Sequence, residues 1–261
     1  MHLIPAHPLF SLIQKSLGFS LSFLIYYGLP FHHRALTQVY SPFICPGDLC
    51  FDLGAHLGDR IRAWSQLGAH IVALEPHPGC MRWLRGQYGN NSNVVLVEQA
   101  IGARPGKATF WISRLTPSIS TLSPQWLTTV QQSPRFAGAR WEEQIPVTVT
   151  TLDALINQYG KPAFCKIDVE GAELDVLQGL SHALPALSFE YIPVMIETAL
   201  RCIDRLSQLG DYEYNWRVSE WPGLCSRVWL GPQAMSAHLK RMPRDSDSGD
   251  VYARLILNRN V

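Results

Sequence analysis

The stretch Phe51-Asp52-Leu53-Gly54-Ala55-His56-Leu57-Gly58-Asp59 joins a short apolar run, which begins at Leu49, to a helical pattern over residues 58–67. This order predicts a buried β-strand, a glycine turn and a helix. Gly54 lets the backbone of such a turn approach a ligand closely, at the carboxyl edge where open α/β sheets bind their ligands. The stretch therefore indicates the first βα unit of a parallel sheet and the position of a binding site.

The chain after residue 46 alternates apolar runs with helical stretches, which is typical of βαβ units around a parallel sheet. Further strands are predicted at residues 71–74, 94–97, 164–168 and 187–192, with helices at 81–88, 151–159, 171–180 and 195–209. Residues 212–218 and 251–257 are predicted to complete the sheet as an antiparallel pair. The fold class is therefore α/β, with one domain over residues 46–261.

Three segments fall outside this alternation. Residues 1–45 are interpreted as a helical N-terminal cap, and residues 221–248 as a C-terminal cap. Residues 113–141, which are rich in Ser, Thr, Pro and Gln, are flanked by extra strands at 108–112 and 146–149. A long segment of this kind is typical of an inserted loop or lid over a site.

Composition excludes several classes of protein. The chain has 261 residues, of which 47% are hydrophobic, so it is too apolar for a disordered protein. Its net charge of +1 lacks the basic excess of a nucleic-acid-binding protein, and no nucleic-acid partner is expected. The six cysteines have no metal-ligand spacing and are interpreted as thiols of a reducing compartment, which predicts a cytoplasmic protein.

The most apolar segment, residues 17–31, is predicted to be neither a membrane span nor an export signal. Glycines and Pro30 interrupt it well short of the roughly 20 residues that a bilayer requires. Residues 1–10 contain no Lys or Arg, which a signal peptide would carry near its start. A weak, reversible contact of this segment with a membrane surface stays open.

Two carboxylates lie near the ends of the first two predicted strands. Asp52 stands just before the glycine turn, and Glu75 ends the second strand, 21 residues after Gly54. An acid about 20 residues after such a turn typically binds the ribose hydroxyls of an adenosine. The two acids and the turn are thus predicted to form part of one adenosine site.

The glycines and charges distinguish two adenosine cofactors. Dinucleotide binding favours three glycines spaced GxGxxG against an anionic diphosphate, whereas here only Gly54 and Gly58 are present and Asp52 precedes the turn. The Asp52 carboxylate instead suits a ligand with an α-ammonium and a sulfonium, which is S-adenosylmethionine. We predict that cofactor, and an NAD-dependent oxidoreductase stays as an alternative.

A further group of charges lies in the stretch Lys-Ile-Asp-Val-Glu-Gly-Ala-Glu at residues 166–173. Asp168 ends a predicted strand at the same edge as Asp52 and Glu75, although it could also serve as a helix N-cap. Acids later in this stretch could stabilise the first turn of the helix. Lys166 lies in a strand predicted to be buried, so we expect it to contact a carboxylate, with Glu190 or Glu170 as candidates.

Four short motifs follow one another along residues 46–192. They are Phe-Asp-Leu-Gly-Ala-His-Leu-Gly at 51–58, Val-Ala-Leu-Glu-Pro at 72–76, Thr-Leu-Asp-Ala-Leu at 151–155, and residues 166–173 with Leu-Gln-Gly at 177–179. Together they resemble the motifs of the FkbM family of methyltransferases. The resemblance implies a Rossmann-like seven-stranded sheet, mostly parallel with an antiparallel last strand. It also implies S-adenosylmethionine as cofactor and O-methylation of a hydroxyl on a sugar, glycolipid or natural product.

The resemblance assigns site residues as well. The methionine end of the cofactor would be lined by Asp52, Gly54, Ala55, His56 and Gly58, the ribose would be held by Glu75, and the adenine would lie near Glu98, Gln99 and Ala100. Asp168 and Glu170 would face the transferred methyl group or the acceptor. Acceptor recognition is expected to fall to residues 111–141 and 213–231, where most of the tryptophans lie.

The expected reaction needs alignment of acceptor and methyl group, together with a base for the hydroxyl proton. Asp168 is the first candidate for that base and His56 the second, because an imidazole titrates near the working pH. No group of residues has the spacing of metal ligands, so a metal-independent reaction is expected. A non-catalytic module that keeps the cofactor fold is the other alternative.

Overall fold

A computed structural model describes residues 32–132, 136, 138–219, 221 and 223–256. The apolar segment 17–31, whose contact with a membrane surface was left open above, lies outside the described residues. Within the described part of the chain, no helix has the length and apolar composition needed to cross a bilayer.

Strands and helices alternate along most of the chain. The strands are β1 (Leu49–Leu53), β2 (His70–Leu74), β3 (Val94–Val97), β4 (Ala100–Ile101), β5 (Gly106–Ile112), β6 (Glu143–Thr150), β7 (Phe164–Ile167), β8 (Ala186–Tyr191), β9 (Tyr212–Val218) and β10 (Gly249–Leu255). The helices are α1 (His32–Tyr40), α2 (Asp59–Gln66), α3 (Pro78–Tyr88), α4 (Pro124–Val130), α5 (Leu152–Tyr159), α6 (Glu173–Gln178), α7 (Ile196–Leu209) and α8 (Pro232–Lys240). Short 3₁₀ turns occur at Pro117–Ile119 and Pro193–Met195.

Seven strands form one sheet in the order β3-β2-β1-β7-β8-β10-β9. The pairs from β3 to β8 are parallel, and β10 is antiparallel to both of its neighbours. The predicted α/β fold, with its mostly parallel seven-stranded sheet and antiparallel last strand, is confirmed. Because β1 pairs with β2 on one side and with β7 on the other, the strand order reverses at β1, which is where open sheets bind ligands.

Apolar side chains cover both faces of this sheet. One face carries a large aliphatic cluster built on β1, β7 and β8 together with α7. On the other face Trp64, Phe164 and Tyr252 pack around Tyr40 of α1, with ring centroids 5.3 to 6.3 Å apart. The end of α1 therefore forms part of the core, since Leu36 and Tyr40 are both fully buried.

The strands predicted on either side of the insertion are present, and the described residues between them include a helix and a 3₁₀ turn. Strands β5 and β6 pair antiparallel over seven residue pairs, and β4 adds to β6 to form a second sheet of three strands. Between β5 and β6, Trp126 of α4 is 1% exposed and packs in a small cluster with Val130, Ile192 and Met195. The insertion thus has its own apolar core, which rests on the segment after β8.

Candidate functional site

Three clefts meet at the carboxyl ends of the parallel strands. We call them the β2 cleft (about 520 Å³), the β1 cleft (about 410 Å³) and the β8 cleft (about 710 Å³), after the strand whose end each one adjoins. Asp168, Glu170 and Ser118 line all three clefts. A ligand that fills the β2 and β1 clefts would therefore meet a second molecule in the β8 cleft beside the same two carboxylates.

Glu75 lies at the end of β2 and lines the β2 cleft. Its Oε2 accepts a hydrogen bond from the His56 backbone N–H and its Oε1 one from the His77 N–H, both at 2.7 Å. These bonds fix the carboxylate and leave further lone pairs on each oxygen, as binding of two hydroxyl groups requires. Burial raises the pKa of Glu75 to about 7, although the two N–H groups act in the opposite direction.

Asp52 lies inside β1 and is 1% exposed. It lines the β1 cleft, and its Oδ2 is buried without a hydrogen-bond partner among the described residues. Burial, and next the nearby Asp59, raise the pKa of Asp52 to about 7. A buried carboxylate oxygen that lacks a donor is costly, and a cationic ligand in the cleft would satisfy it.

Gly54 has φ +88° and lies against the loop after β7. A Cβ atom at this position would lie 1.9 Å from the Asp168 carbonyl oxygen, so no other residue fits without moving that loop. The glycine turn thus brings the backbones that follow β1 and β7 into contact. In this way Gly54 positions Asp168 besides lining the β2 and β1 clefts.

Gly58 has a different place from the one that the resemblance implies. It is the left-handed N-cap of α2, with φ 88°, and it does not line any of the three clefts. A Cβ atom there would lie 2.8 Å from side-chain atoms of Leu84 and Tyr88. The Tyr88 hydroxyl donates to the Gly58 carbonyl at 3.0 Å. The structure therefore assigns Gly58 to the packing of α2 against α3.

The residues expected near the adenine divide into two groups. Gln99 and Ala100 line the β2 cleft, with Phe110 of β5 on its wall. Glu98 is instead exposed and pairs with Arg85 at 2.6 Å, outside the clefts. The apolar wall that Phe110 adds to the β2 cleft suits the flat adenine ring. Ala55, expected at the methionine end, lines the β1 cleft.

His56 lines the β2 and β1 clefts and has φ 48°. Burial lowers the pKa of its imidazole to about 4. At neutral pH the ring is therefore uncharged and binds a proton only weakly. The reason for expecting His56 as a base, an imidazole that titrates near the working pH, does not hold in this structure.

Lys166 is 1% exposed, and its ammonium contacts carboxylates as expected. The partners are different ones, however. Its Nζ donates to Asp168 Oδ2 at 3.0 Å and to Asp250 Oδ1 at 2.8 Å, so neither Glu190 nor Glu170, the candidates from the sequence, is its hydrogen-bond partner. Asp250 lies on β10, where it is in register with Glu190 of β8. Lys166 therefore links β7 to β10 across β8.

Hydrogen bonds from Glu173 and from the insertion fix the conformation of the loop after Asp168. Oε1 of the buried Glu173 accepts hydrogen bonds from the N–H groups of Val169 and Gly171 at 3.2 and 3.1 Å. From the insertion, the Thr121 hydroxyl donates to the Glu170 carbonyl at 2.6 Å. Asp168 does not cap α6, whose N-cap is Ala172. The N-cap alternative for Asp168 is therefore wrong, and its carboxylate is available to the clefts.

Comparison with known proteins gives a family match over the part of the chain that contains most of this site. The profile of the methyltransferase FkbM domain matches residues 52–201, which is more than half of the chain and includes the site acids on β1, β2, β7 and β8. This chain belongs to the FkbM methyltransferase family. The family's cofactor is S-adenosylmethionine, as the charge of Asp52 predicts. None of the curated proteins matches the sequence.

Several solved structures are similar to this FkbM-family chain. The TehB-like SAM-dependent methyltransferase from Corynebacterium glutamicum has 9% identity and a TM-score of 0.47, over 94% of this chain and 98% of that one. An O-methyltransferase from Bacillus cereus in complex with SAH has 9% identity and a TM-score of 0.45, over 97% and 93%. Aeropyrum pernix fibrillarin with bound S-adenosyl-L-methionine has 13% identity and a TM-score of 0.41, over 81% and 68%.

The residues of the FkbM-family site fit this cofactor. The orphaned Oδ2 of Asp52 suits the ammonium of the methionine part, and the oriented Glu75 carboxylate suits the ribose hydroxyls. Other site residues carry no sequence motif that would have pointed to them. Arg60, Ser118 and Asp250 line the clefts only because α2, the insertion and β10 converge on the carboxyl edge.

Proposed function

We propose that this FkbM-family protein methylates a hydroxyl group of a sugar, a glycolipid or another natural product. The observation that carries the proposal is the position of Asp168, which lines the two clefts suited to the cofactor and also the polar β8 cleft. A hydroxyl group bound in the β8 cleft would therefore meet the cofactor beside a carboxylate. This is the alignment that methyl transfer requires.

When bound, S-adenosylmethionine would supply a sulfonium-activated methyl group for the acceptor oxygen, with neutral S-adenosylhomocysteine as the leaving group, and the acceptor hydroxyl would release its proton. Asp168 accepts this proton on its carboxylate. Lys166 holds one oxygen of Asp168 at 3.0 Å and so orients the carboxylate towards the clefts. Glu170 lines the same clefts and contributes a second carboxylate beside the acceptor.

The lining of the β8 cleft supports a polar acceptor. Ser118, Ser219 and Ser248 contribute hydroxyl groups, and Arg60 contributes a guanidinium. Such groups form hydrogen bonds with a polyol. Of the tryptophans in the regions expected to recognise the acceptor, Trp126 packs in the core of the insertion, whereas Trp221 is 65% exposed two residues after Ser219. Trp221 is therefore our candidate for contact with the apolar face of a sugar.

The protein is proposed to act in the cytoplasm on a small-molecule or saccharide acceptor. Its six cysteines are all free thiols, which agrees with a reducing compartment. An NAD-dependent oxidoreductase is disfavoured by the buried Asp52 carboxylate, which would repel a diphosphate. The non-catalytic module predicts the same cofactor contacts without turnover.

Calorimetric titration of the purified chain with S-adenosylmethionine, S-adenosylhomocysteine and NAD, each in turn, tests the cofactor. We expect the two adenosyl ligands alone to bind, and Glu75→Ala to weaken both without loss of the fold. The control is Glu213→Ala, which removes an exposed carboxylate paired with Arg254 on the outer strands. Binding of NAD alone would overturn the proposal, and failure of all three ligands to bind would do so as well.

Turnover is tested by following transfer of a labelled methyl group to a panel of sugars and glycolipids. Asp168→Asn should retain cofactor binding and lose most of the transfer activity, because an amide cannot accept the proton. A general base typically contributes about 10² to 10⁴-fold to the rate. Equal transfer rates for the wild-type protein and Asp168→Asn would exclude Asp168 as the base.

A further inference from the structure

Three carboxylates converge at the ends of β7 and β8. Asp168 and Glu170 follow β7, and Glu190 lies near the end of β8. One oxygen of each lies within 4.8 Å of the other two, and all three residues line the β8 cleft. The cluster thus faces the space in which the acceptor is proposed to bind.

Glu190 gives this cluster a feature that a solvated acidic patch lacks. Its Oε2 atom is buried and has no hydrogen-bond partner among the described residues. The neighbouring Lys166 ammonium donates instead to Asp168 and Asp250. A buried carboxylate oxygen without a donor is expensive, and such a group in a folded protein indicates a missing proton, ion or ligand.

The charges around Glu190 are mostly negative. Three carboxyl groups, those of Glu170, Asp168 and Glu173, act on it, and Lys166 is the cation among the groups that do so. The Arg60 guanidinium also lines the β8 cleft.

We propose that Asp168, Glu170 and Glu190 bind a divalent metal cation of the hard, oxygen-preferring type, such as Mg²⁺ or Mn²⁺. Carboxylate oxygens are the ligands that these ions prefer. Two ligands of one Mg²⁺ ion lie about 3 to 4.2 Å apart. The three oxygens lie within 4.8 Å of one another, so side-chain rotations that shorten the longest separation by about 0.6 Å would bring them to this spacing.

This proposal rests on the proposed function and deepens it. An ion at this position touches the Asp168 carboxylate and borders the acceptor cleft, where it would lower the pKa of a hydroxyl bound to it. It also reverses the expectation of a metal-independent reaction. That expectation was based on spacing along the chain, whereas Glu190 is 20 residues from Glu170 and approaches it only through the pairing of β7 with β8.

Metal binding is tested on the full chain after dialysis against a chelator, with Mn²⁺ as the probe and without acceptor. Electron paramagnetic resonance measures free Mn²⁺ during the titration, and calorimetry with Mg²⁺ repeats it. We expect one tight site per chain. Glu190→Gln and Glu170→Gln should each weaken it by at least about tenfold, because even residues outside the ligand shell typically contribute roughly 10 to 100-fold to metal affinity.

Glu197→Gln is the matched control, since Glu197 is an exposed carboxylate in the first turn of α7, and its Mn²⁺ binding should equal that of the wild-type protein. Absence of Mn²⁺ and Mg²⁺ binding to the wild-type chain, or equal binding to Glu190→Gln, would overturn the metal site. S-adenosylmethionine titration of the same samples separates the two proposals. Cofactor binding without metal binding would refute the ion alone, whereas metal binding without cofactor binding would refute the proposed methyl transfer.

Discussion

Replacement of Lys166 by methionine tests how the strand ends that form the site are held together. The Lys166 ammonium is 2.8 Å from Asp250 Oδ1 and 3.0 Å from Asp168 Oδ2, and its side chain is 1% exposed. Methionine has a similar length and fills the same apolar space, so the variant removes charge and hydrogen bonds but little packing. Both carboxylates then lose this ammonium in a partly buried position, and Arg60 and Arg217 remain as the cations that act on Asp250.

The expected loss is large for one substitution. Removal of one partner from a buried ion pair costs about 3–5 kcal/mol, because the remaining charge is left uncompensated. This is a substantial part of a total free energy of unfolding of about 5–15 kcal/mol. The control is Arg85→Met, which breaks the Arg85–Glu98 pair, whose side chains are 57% and 40% exposed. Exposed pairs of this kind contribute about 0–1 kcal/mol.

The pH dependence provides a second measurement. Although burial opposes it, the charge of Lys166 lowers the pKa of Asp250 below its ordinary value of 3.8. A carboxyl group with a lowered pKa stabilises the native state above its ordinary pKa, and this contribution is lost as the pH falls through the native value. The difference between the wild-type protein and Lys166→Met should therefore be greatest at neutral pH and shrink in acid.

Urea unfolding followed by circular dichroism, at neutral and at acidic pH, measures both effects. Lys166→Met should lower the urea midpoint strongly at neutral pH, whereas Arg85→Met should hardly change it. The double variant Lys166→Met/Asp250→Asn should recover part of the lost stability, because it removes one of the two carboxylates that lose the Lys166 ammonium. A loss below about 1 kcal/mol for Lys166→Met, comparable to that of an exposed pair, would refute this account of the network.

Three further predictions follow from single contacts. Gly54→Ala should destabilise the protein by more than about 1–2 kcal/mol and lower its melting temperature, because alanine disfavours φ +88° and its Cβ would meet the Asp168 carbonyl. The control is Gly86→Ala, which lies in a helix and has nothing within 4 Å of the added Cβ. This variant should be neutral or stabilising. Asp52 has a raised pKa of about 7 in the cofactor-free chain, so its contribution to stability falls as the pH rises from the ordinary value of 3.8 to about 7. A cationic ligand favours the charged Asp52 carboxylate, so binding of S-adenosylmethionine just below pH 7 should release protons. Calorimetry detects this release as a binding heat that depends on the ionisation enthalpy of the buffer. Asp52→Asn should abolish it. Thr121→Val removes the 2.6 Å hydrogen bond to the Glu170 carbonyl and also the bond that the hydroxyl accepts from the Ser123 N–H at 2.8 Å. The loss should be about 1 kcal/mol for each bond in urea unfolding, and methyl transfer should slow. An unchanged transfer rate would mean that the insertion does not position the loop after Asp168.

Much of the fold could be predicted from local patterns. The apolar runs that became β1, β2, β7 and β8 are short and dominated by buried residues, which is typical of parallel strands. Thr151 was predicted to start a helix, and in the structure its hydroxyl caps α5 by accepting from the Ala154 N–H at 3.2 Å. These features depend on neighbours close in the chain, so the sequence is sufficient to indicate them.

The candidate site was predictable only in part. Asp52, Glu75 and Asp168 each lie at or next to the carboxyl end of a strand. Because parallel strands place these ends at one edge of the sheet, the sequence alone predicted that the three acids lie close together. Gly58 lies elsewhere than the resemblance implies, because a glycine at a turn has the same signature whether it faces a ligand or, as here, the side chains of Leu84 and Tyr88. The pairing of Glu98 with Arg85 likewise depends on a helix packing beside a strand.

By itself the sequence determined the order of strands and helices, the acids at the strand ends and the family to which the chain belongs. Only the tertiary structure decided which charges meet. Lys166 pairs with Asp250, which lies 84 residues away, rather than with either acid that the sequence indicated, and Glu190 was left beside Asp168 and Glu170. The reason is physical: periodicity and spacing report neighbours along the chain, whereas a buried ammonium pairs with whichever carboxylate the register of distant strands brings within reach.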